Sequence, residues 1–269
     1  MPKGTKTVLI TGGTSGIGRA LALRFALAGY NVALSGRNSD RLLAIKSELD
    51  KCNVGSLCIE SDVSNESDCR NLIEETVNCF GSIDVLINNA GISMRAILND
   101  LQLDVLRKVM DINFWGTVYC TKFALPYLLK SGGSVVGVSS IAGKNGLPGR
   151  TGYSASKFAM EGFLQSVRTE NLKKGLHVLV ACPGFTESSI RGSALGPDGS
   201  AQSESPRDEK KMMTAQEVAD HIYHAVVHRK RDLVLTKQGK LAVWLGRLFP
   251  SLSDKLVFKH MSSEQGSPF

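Results

Sequence analysis

Tyr153 and Lys157 stand four residues apart in the segment YSASK. On a helix that spacing puts both side chains on one face, a turn apart. A phenol with a pKa near ~10 is a poor base at neutral pH. An ammonium beside it stabilises the phenolate, and lowering the pKa by about two units takes about 2.7 kcal/mol of differential interaction. Such a pair can give a proton to an oxygen or take one from it. A tyrosine–lysine pair at this spacing is also a commonplace of helix surfaces, so its meaning depends on the residues around it.

Those residues begin at the N-terminus. An apolar run, TVLI, leads straight into TGGTSGIG (Thr11 to Gly18) and then into the amphipathic segment RALALRFALAG. Gly12, Gly16 and Gly18 allow a tight turn and a close backbone approach. With Thr14, Ser15 and Ile17 they form a candidate phosphate cradle, in which a helix N-terminus offers free N–H groups and a positive dipole end. A glycine turn alone says little, but one placed between a strand and a helix points to a dinucleotide. The second strand leads into SGRNSDR, with Gly36 where an NAD site carries a carboxylate for the ribose diol. Arg37 follows, and a guanidinium can grip a 2′-phosphate that a carboxylate would repel. The pairing favours NADP(H) over NAD(H), the alternative being a solvated arginine at a helix start. Farther on stand NNAG at Asn88 to Gly91, Asn113 in DINFWG, and VSSIAG around Ser140.

Stepping outward, short β-branched runs alternate with longer segments of helical periodicity. Strands are predicted at 7–11, 31–35, 55–61, 83–88, 134–139, 176–181 and 232–235. Helices are predicted at 16–28, 40–51, 66–80, 103–129, 152–174 and 215–228. Several strands are apolar throughout, as parallel strands covered on both faces should be. Gly29, Gly81, Gly132 and Gly175 fall where helices should stop. The simplest architecture is an α/β, Rossmann-like, doubly wound parallel sheet of about seven strands flanked by helices on both faces. Residues 1–236 then make one dinucleotide-binding and catalytic domain, with a substrate lid near 188–213 and a basic, apolar extension over 237–269.

In this order and setting, TGGTSGIG, NNAG, the helix Asn113, SSIAG, YSASK and CPGF at Cys182 to Phe185 resemble the short-chain dehydrogenase/reductase superfamily, in its shorter, reductase-type branch. The likeness runs from about Thr7 to about Leu235. It implies that Tyr153 is the acid/base and that Ser140, thirteen residues before it, hydrogen-bonds the same substrate oxygen. Lys157 would hold the nicotinamide ribose and lower the Tyr153 pKa, and Asn113 would position a water joining Lys157 to solvent. Asp62 and Val63 would contact adenine, and Asn89, Ala90 and Gly91 the cofactor ribose region. Pro183, Gly184, Thr186 and Ser188 would lie against the carboxamide. The family often has Val at the Thr186 position and Thr at the Ser188 position. Dimers or tetramers through the long helices 103–129 and 152–174 are also implied.

Composition limits the alternatives. With 42% hydrophobic and 21% charged residues the chain is ordinary for a globular protein, and no apolar run reaches the ~18 residues of a membrane span. The start MPKGTKTVLI lacks a signal-peptide layout. The six cysteines show no paired or metal-ligand spacing, so reduced thiols and a cytoplasmic setting are expected, with no metal. The formal charge of +7 sits mostly between His228 and His260, where eight basic residues face two acids, which argues against a broad nucleic-acid footprint. In the tail, Leu241, Trp244, Leu245, Leu248 and Phe249 fall at helical spacing beside Lys240 and Arg247, and Pro250 should stop that helix. The stripe either packs on protein or rests peripherally on a membrane. The pocket is expected to be formed partly by residues 93–98 and 144–150 and the loop 188–213, whose Met94, Ile97, Leu147 and Pro148 suggest an apolar ketone or alcohol as substrate. A silent NADP(H)-binding sensor and a membrane-surface binding protein on the same scaffold are the competing readings.

Overall fold

Strands that are apolar at every position can be buried only where both faces of their sheet are covered. The computed structural model describes residues 5–187, 190, 192–202, 212–264 and 266–269, and shows that arrangement. Strands β1 (Thr7–Ile10), β2 (Asn31–Gly36), β3 (Ser56–Glu60), β4 (Val85–Asn88), β5 (Ser134–Val138), β6 (His177–Cys182) and β7 (Asp232–Val234) form one sheet in the order β3-β2-β1-β4-β5-β6-β7. All neighbours run parallel. Because side chains alternate along a strand, β1 sends Val8 and Ile10 to one core and Leu9 to the other. The first core is closed by α1 (Gly16–Leu27), α2 (Ser39–Leu49) and α7 (Ala215–Val227). The second is closed by α3 (Glu66–Phe80), α5 (Gly116–Ser131) and α6 (Thr151–Glu170).

The seven strands lie within two residues of their predicted bounds. Gly29, Gly81, Gly132 and Gly175 all take positive φ just beyond a helical turn. Two expectations are corrected. The segment 103–129 is not one regular helix: α4 (Leu103–Met110) passes into α5 through a π-helical turn at Asp111–Trp115. The extra residue turns Asn113 inward, where Nδ2 donates to the Ile92 carbonyl at 2.9 Å and Oδ1 accepts from the Ile92 N–H at 2.8 Å. A side chain that satisfies two backbone groups on another segment outweighs the lost regularity. Pro250, expected only as a stop, ends α8 (Lys237–Leu248) and opens α9 (Pro250–Ser262) at once, since its missing N–H costs nothing in a first turn.

The described part of the segment 188–213 is tied to the body: Leu195 N–H donates to the Ser93 carbonyl at 2.9 Å and Arg95 N–H to the Leu195 carbonyl at 2.8 Å. The tail packs on one side and is exposed on the other. Asn145 Nδ2 donates to the Ala242 carbonyl at 2.9 Å and to Ser253 Oγ at 3.3 Å, seating α8 and α9 against the turn Ile141–Gly143. Leu241, Trp244, Leu248, Phe249, Leu252, Leu256 and Phe258 remain 47–57% exposed.

Candidate active site

Parallel strands point their carboxyl ends the same way, and the sheet order reverses direction at β1, leaving a crevice between β1 and β4. Asn89 holds that crevice open. Its Nδ2 donates to the Thr11 and Gly12 carbonyls, both at 3.0 Å, while Thr11 Oγ1 accepts from the Asn89 and Ala90 N–H groups at 3.1 Å. The result is a cleft of about 510 Å³ along the strand ends.

The structure brings nearly all the predicted site residues to this one cleft. Gly12, Thr14, Ser15, Gly16, Ile17 and Gly18 line its first wall, Arg37 the end of β2, and Asp62 and Val63 the end of β3. Asn89, Ala90 and Gly91 follow β4, Ser140 follows β5, Tyr153 and Lys157 come from α6, and Pro183, Gly184 and Thr186 follow β6. Ser188 lies outside the described residues. Asn113 stands one layer back, fully buried, and Ile112 supplies the wall in front of it. Met94 and Ile97, expected in the substrate pocket, do not line the cleft. Met94 is buried with Leu101, Val105, Val109 and Leu195, and the Tyr153 ring leans on that cluster. An unbranched thioether fills such an irregular core gap well. Pro148 lines a second, shallower pocket with Val257 and Phe258.

At the glycine turn, Gly12 adopts φ +65, and a Cβ on Gly18 would overlap the Gly12 carbonyl oxygen. Only hydrogen fits between these two backbones. The Ser15 side chain caps none of the first-turn N–H groups of α1, and that turn carries no acid, so the helix N-terminus faces the cleft as an anion site. Arg37, Arg41, Arg150 and Lys157 line the cleft against a single carboxylate, Asp62, among the described residues. Burial raises the Asp62 pKa, but donation from Ser64 N–H at 2.9 Å and Ser64 Oγ at 2.7 Å outweighs it and holds the group below its ordinary value.

At the other end Ser140 has an extended backbone, and its Oγ accepts the Ala142 N–H at 3.2 Å, so the hydroxyl hydrogen is left to donate. Lys157 is 3% exposed. Its Nζ donates to the Val138 carbonyl at 2.9 Å and lies 5.8 Å from the Tyr153 ring centre. Burial pulls its pKa down to about 8, with Cys182 and Glu161 pulling the other way. A Cβ on Gly91 would sit 3.1 Å from Asn113 Oδ1 and 3.5 Å from Lys157 Nζ, so these two groups converge behind that glycine. A phenol, a hydroxyl donor and an ammonium thus share one end of a cleft whose other end is lined by arginines.

The segments 93–98 and 144–150, expected to border the pocket, contribute Ser93, Leu147 and Arg150 to the lining, whereas Arg41 lines it without having been singled out. Arg41 stands in the first turn of α2, four residues after Arg37, which lies just beyond β2. A backbone bridge from Leu195 holds Ser93 there.

The comparisons agree with this geometry. Residues 6–196 match the family model described as short chain dehydrogenase. The dehydrogenase/reductase SDR family member 7B of Mus musculus is 35% identical over 266 residues, covering 97% of this chain and 82% of the relative. The dehydrogenase/reductase SDR family protein 7-like of Dictyostelium discoideum is 34% identical over 265 residues, covering 96% and 82%. Among solved structures, a short chain dehydrogenase/reductase from Burkholderia phymatum in complex with NAD superposes with TM-score 0.82 at 21% identity, covering 92% of this chain and 95% of that one. An alcohol dehydrogenase from Thermococcus sibiricus complexed with 5-hydroxy-NADP gives 0.76 at 24%, covering 86% and 96%. At these identities the two structures speak for the fold.

Asn113 also donates to Ser156 Oγ at 2.9 Å, joining the segment after β4 to α6. Replacing Asn113 by Ala strands buried partners on both, and the expected loss is about 1–3 kcal/mol in urea unfolding. A change below about 0.5 kcal/mol, the range of neutral surface substitutions, would show that this bridge is not structural.

Proposed function

We propose that this chain, which belongs to the short chain dehydrogenase family, is an NADP(H)-dependent oxidoreductase acting on a carbonyl or secondary alcohol carbon of a lipophilic substrate. The observation that carries the reading is the convergence of Tyr153, Ser140 and Lys157 at one end of the cleft. The cradle that Gly12 and Gly18 leave open, the uncapped start of α1 and the excess of cations all suit a dinucleotide.

When bound, the nicotinamide supplies or accepts the hydride. The chain's own residues handle the proton. In reduction the Tyr153 hydroxyl gives its proton to the substrate oxygen as the carbon receives hydride; in oxidation the phenolate takes it back. The Ser140 hydroxyl donates to the same oxygen and stabilises its growing charge. Lys157 favours the phenolate and holds the ribose hydroxyls, with Asn113 ordering a water behind it. Leu147, Phe185 and Ile190 line the cleft and favour an apolar substrate. Arg37 and Arg41 both line the cleft, and their guanidinium groups would suit a 2′-phosphate. Exposed Trp115 on the π-helical turn and Phe158 on α6 support self-association into a dimer or tetramer.

A specific observation also favours lipid contact: the exposed apolar residues of α8 and α9 are interleaved with Lys240, Arg247, Lys255 and Lys259. That surface would rest on an anionic membrane and receive lipophilic substrate from it.

Three measurements test these readings. Tyr153→Phe should lower kcat with a panel of ketones by about 10²–10⁴-fold while leaving NADPH binding intact. Turnover near the parental rate would overturn the mechanism, and a parent that binds NADPH yet turns over no ketone would favour the silent sensor. Arg37→Ala should weaken NADPH binding by roughly 10- to 100-fold, the loss of a charge-assisted contact, and leave NADH nearly unaffected. Equal effects on both cofactors would remove the NADP(H) preference. Replacing Trp244 and Phe249 together by Ser should sharply cut co-sedimentation with phosphatidylserine vesicles, whereas equal partitioning of parent and variant would rule out membrane contact.

A further inference from the structure

Glu161 is a carboxylate with 3% exposure in the interior of α6, one turn beyond Lys157. It follows Lys157 by four residues and Tyr153 by eight, so all three face the same side. Its contacts fill both oxygens. Oε1 accepts from Ser139 Oγ at 2.6 Å and from Cys182 Sγ at 3.3 Å, and Oε2 lies 2.5 Å from Lys144 Nζ. The Lys144 and Glu161 side chains are 11% and 5% exposed, so the ion pair is shielded from solvent.

The donors come from the three segments that build the reactive end of the cleft. Ser139 directly precedes Ser140, Lys144 closes the turn Ile141–Gly143, and Cys182 directly precedes Pro183. A Cβ on Gly143 would lie 2.5 Å from both Glu161 Oε1 and Ser139 Oγ, so the turn is drawn against the carboxylate with no room for a side chain. We propose that Glu161 is a positioning residue: it fixes the Ser140 turn and the end of β6 to the Tyr153–Lys157 face of α6, and so sets the spacing of the groups that meet the substrate oxygen. The proposal rests on the reading of Tyr153 and Ser140 given above.

A buried ion pair is weak support for stability, because an apolar pair of similar volume often serves as well or better. What a carboxylate adds is direction. It holds three donors from three segments at fixed angles, as a precise site requires. Its charge acts as well. The groups facing it are Ser139 just after β5, Lys144 on the turn, Cys182 on β6, and Lys157 on its own helix. Burial, and then Glu161 itself, pushes the Cys182 thiol up, so it stays protonated and can donate. Lys157 is held down by burial and lifted by Cys182 and Glu161. Removing the negative charge lets Lys157 lose its proton at lower pH, and the alkaline limb of the rate profile must then move to lower pH.

The test compares the parent enzyme with Glu161→Gln, Glu161→Asp, Ser139→Ala and Tyr153→Phe. It uses NADPH, a ketone from the panel that the parent reduces, and thermal midpoints to monitor folding. Glu161→Gln is expected to lower kcat by about 10- to 100-fold, the effect of misplacing a reacting group by about 1 Å. KM and NADPH affinity should stay within about threefold, and the alkaline limb should fall by roughly half a unit or more. Glu161→Asp should recover part of the rate. Should Glu161→Gln fail to fold, Ser139→Ala removes one donor and no charge, and is expected to lower kcat about fivefold with the limb unmoved. Parental kcat and pH profile in the folded variants would overturn the proposal, whatever their thermal midpoints. Tyr153→Phe separates the two readings: if it is inactive while Glu161→Gln and Ser139→Ala run at the parental rate, only the positioning role falls. Turnover in Tyr153→Phe would take down both. A crystal structure of Glu161→Gln decides the matter without any substrate. A wider Ser140 Oγ to Tyr153 Oη separation supports the role, and a superposable site overturns it.

Discussion

Lys157 sets the terms for the rest of the molecule. An ammonium removed from water loses hydration that the interior must replace with oxygen acceptors and opposite charge. The Val138 carbonyl at the end of β5 replaces part of it, and the carboxylate one turn further along α6 acts in the same sense. That acceptor is available only because α6 lies across the carboxyl ends of β5 and β6, with Met160, Leu164 and Val167 buried against the sheet. The fixed cation in turn requires the neighbouring backbone to come close. Gly91 leaves the room in which Lys157 Nζ and Asn113 Oδ1 converge. Asn113 reaches that point only because the π-helical turn rotates it inward. An irregularity in a helix and a side chain missing from a loop thus meet behind one buried charge.

The parallel sheet converts local order into a site. Each strand delivers its next residues to the same edge, so segments far apart in the chain need no contacts except those made at the crevice. Asn89 and Thr11 lock β4 to β1 there, and the distance between the glycine turn and the reactive end follows from strand spacing rather than from loop conformation. Functional groups carried on strand ends and on the first turns of helices are held more firmly than groups on long loops.

Residues whose role is set within a few positions of chain were readable in the sequence. The glycine turn, the alternation of strands and helices, Arg37 at the end of β2, and the four-residue interval between Tyr153 and Lys157 are all local patterns, and the structure gathers them in one cleft. What escaped depends on partners distant in sequence. The π-helical turn answers to Ile92, twenty-one residues before Asn113. Met94 looked like a pocket residue because its segment borders the cleft, yet the strand-like bridge to Leu195 turns it into a core. Glu161 occupies the right helical register, but its meaning lies in Ser139, Lys144 and Cys182, which no periodicity connects. The tail's stripe was visible; that one side of it docks through Asn145 was not.

Charge along the cleft is distributed unevenly, and the distribution bears on what can bind at each end. Around the reactive end Lys144 is paired with buried Glu161, and both Arg95 and Arg150 with Glu264 at 3.7 Å. At the far end Arg37 and Arg41 are exposed at the rim, with Asp62 the one acid lining the cleft among the described residues. Compensated charges inside a protein present a weak net field, whereas cations at a solvent-facing rim draw anions from a distance. On the proposed reading, the far end would draw the phosphate-rich cofactor and the reactive end would receive the substrate's carbon–oxygen group. Glu264 belongs to the segment after α9, so the tail that exposes the aromatic surface also neutralises an arginine in the cleft wall. The C-terminal segment thus contributes a carboxylate to the electrostatics of the cleft wall.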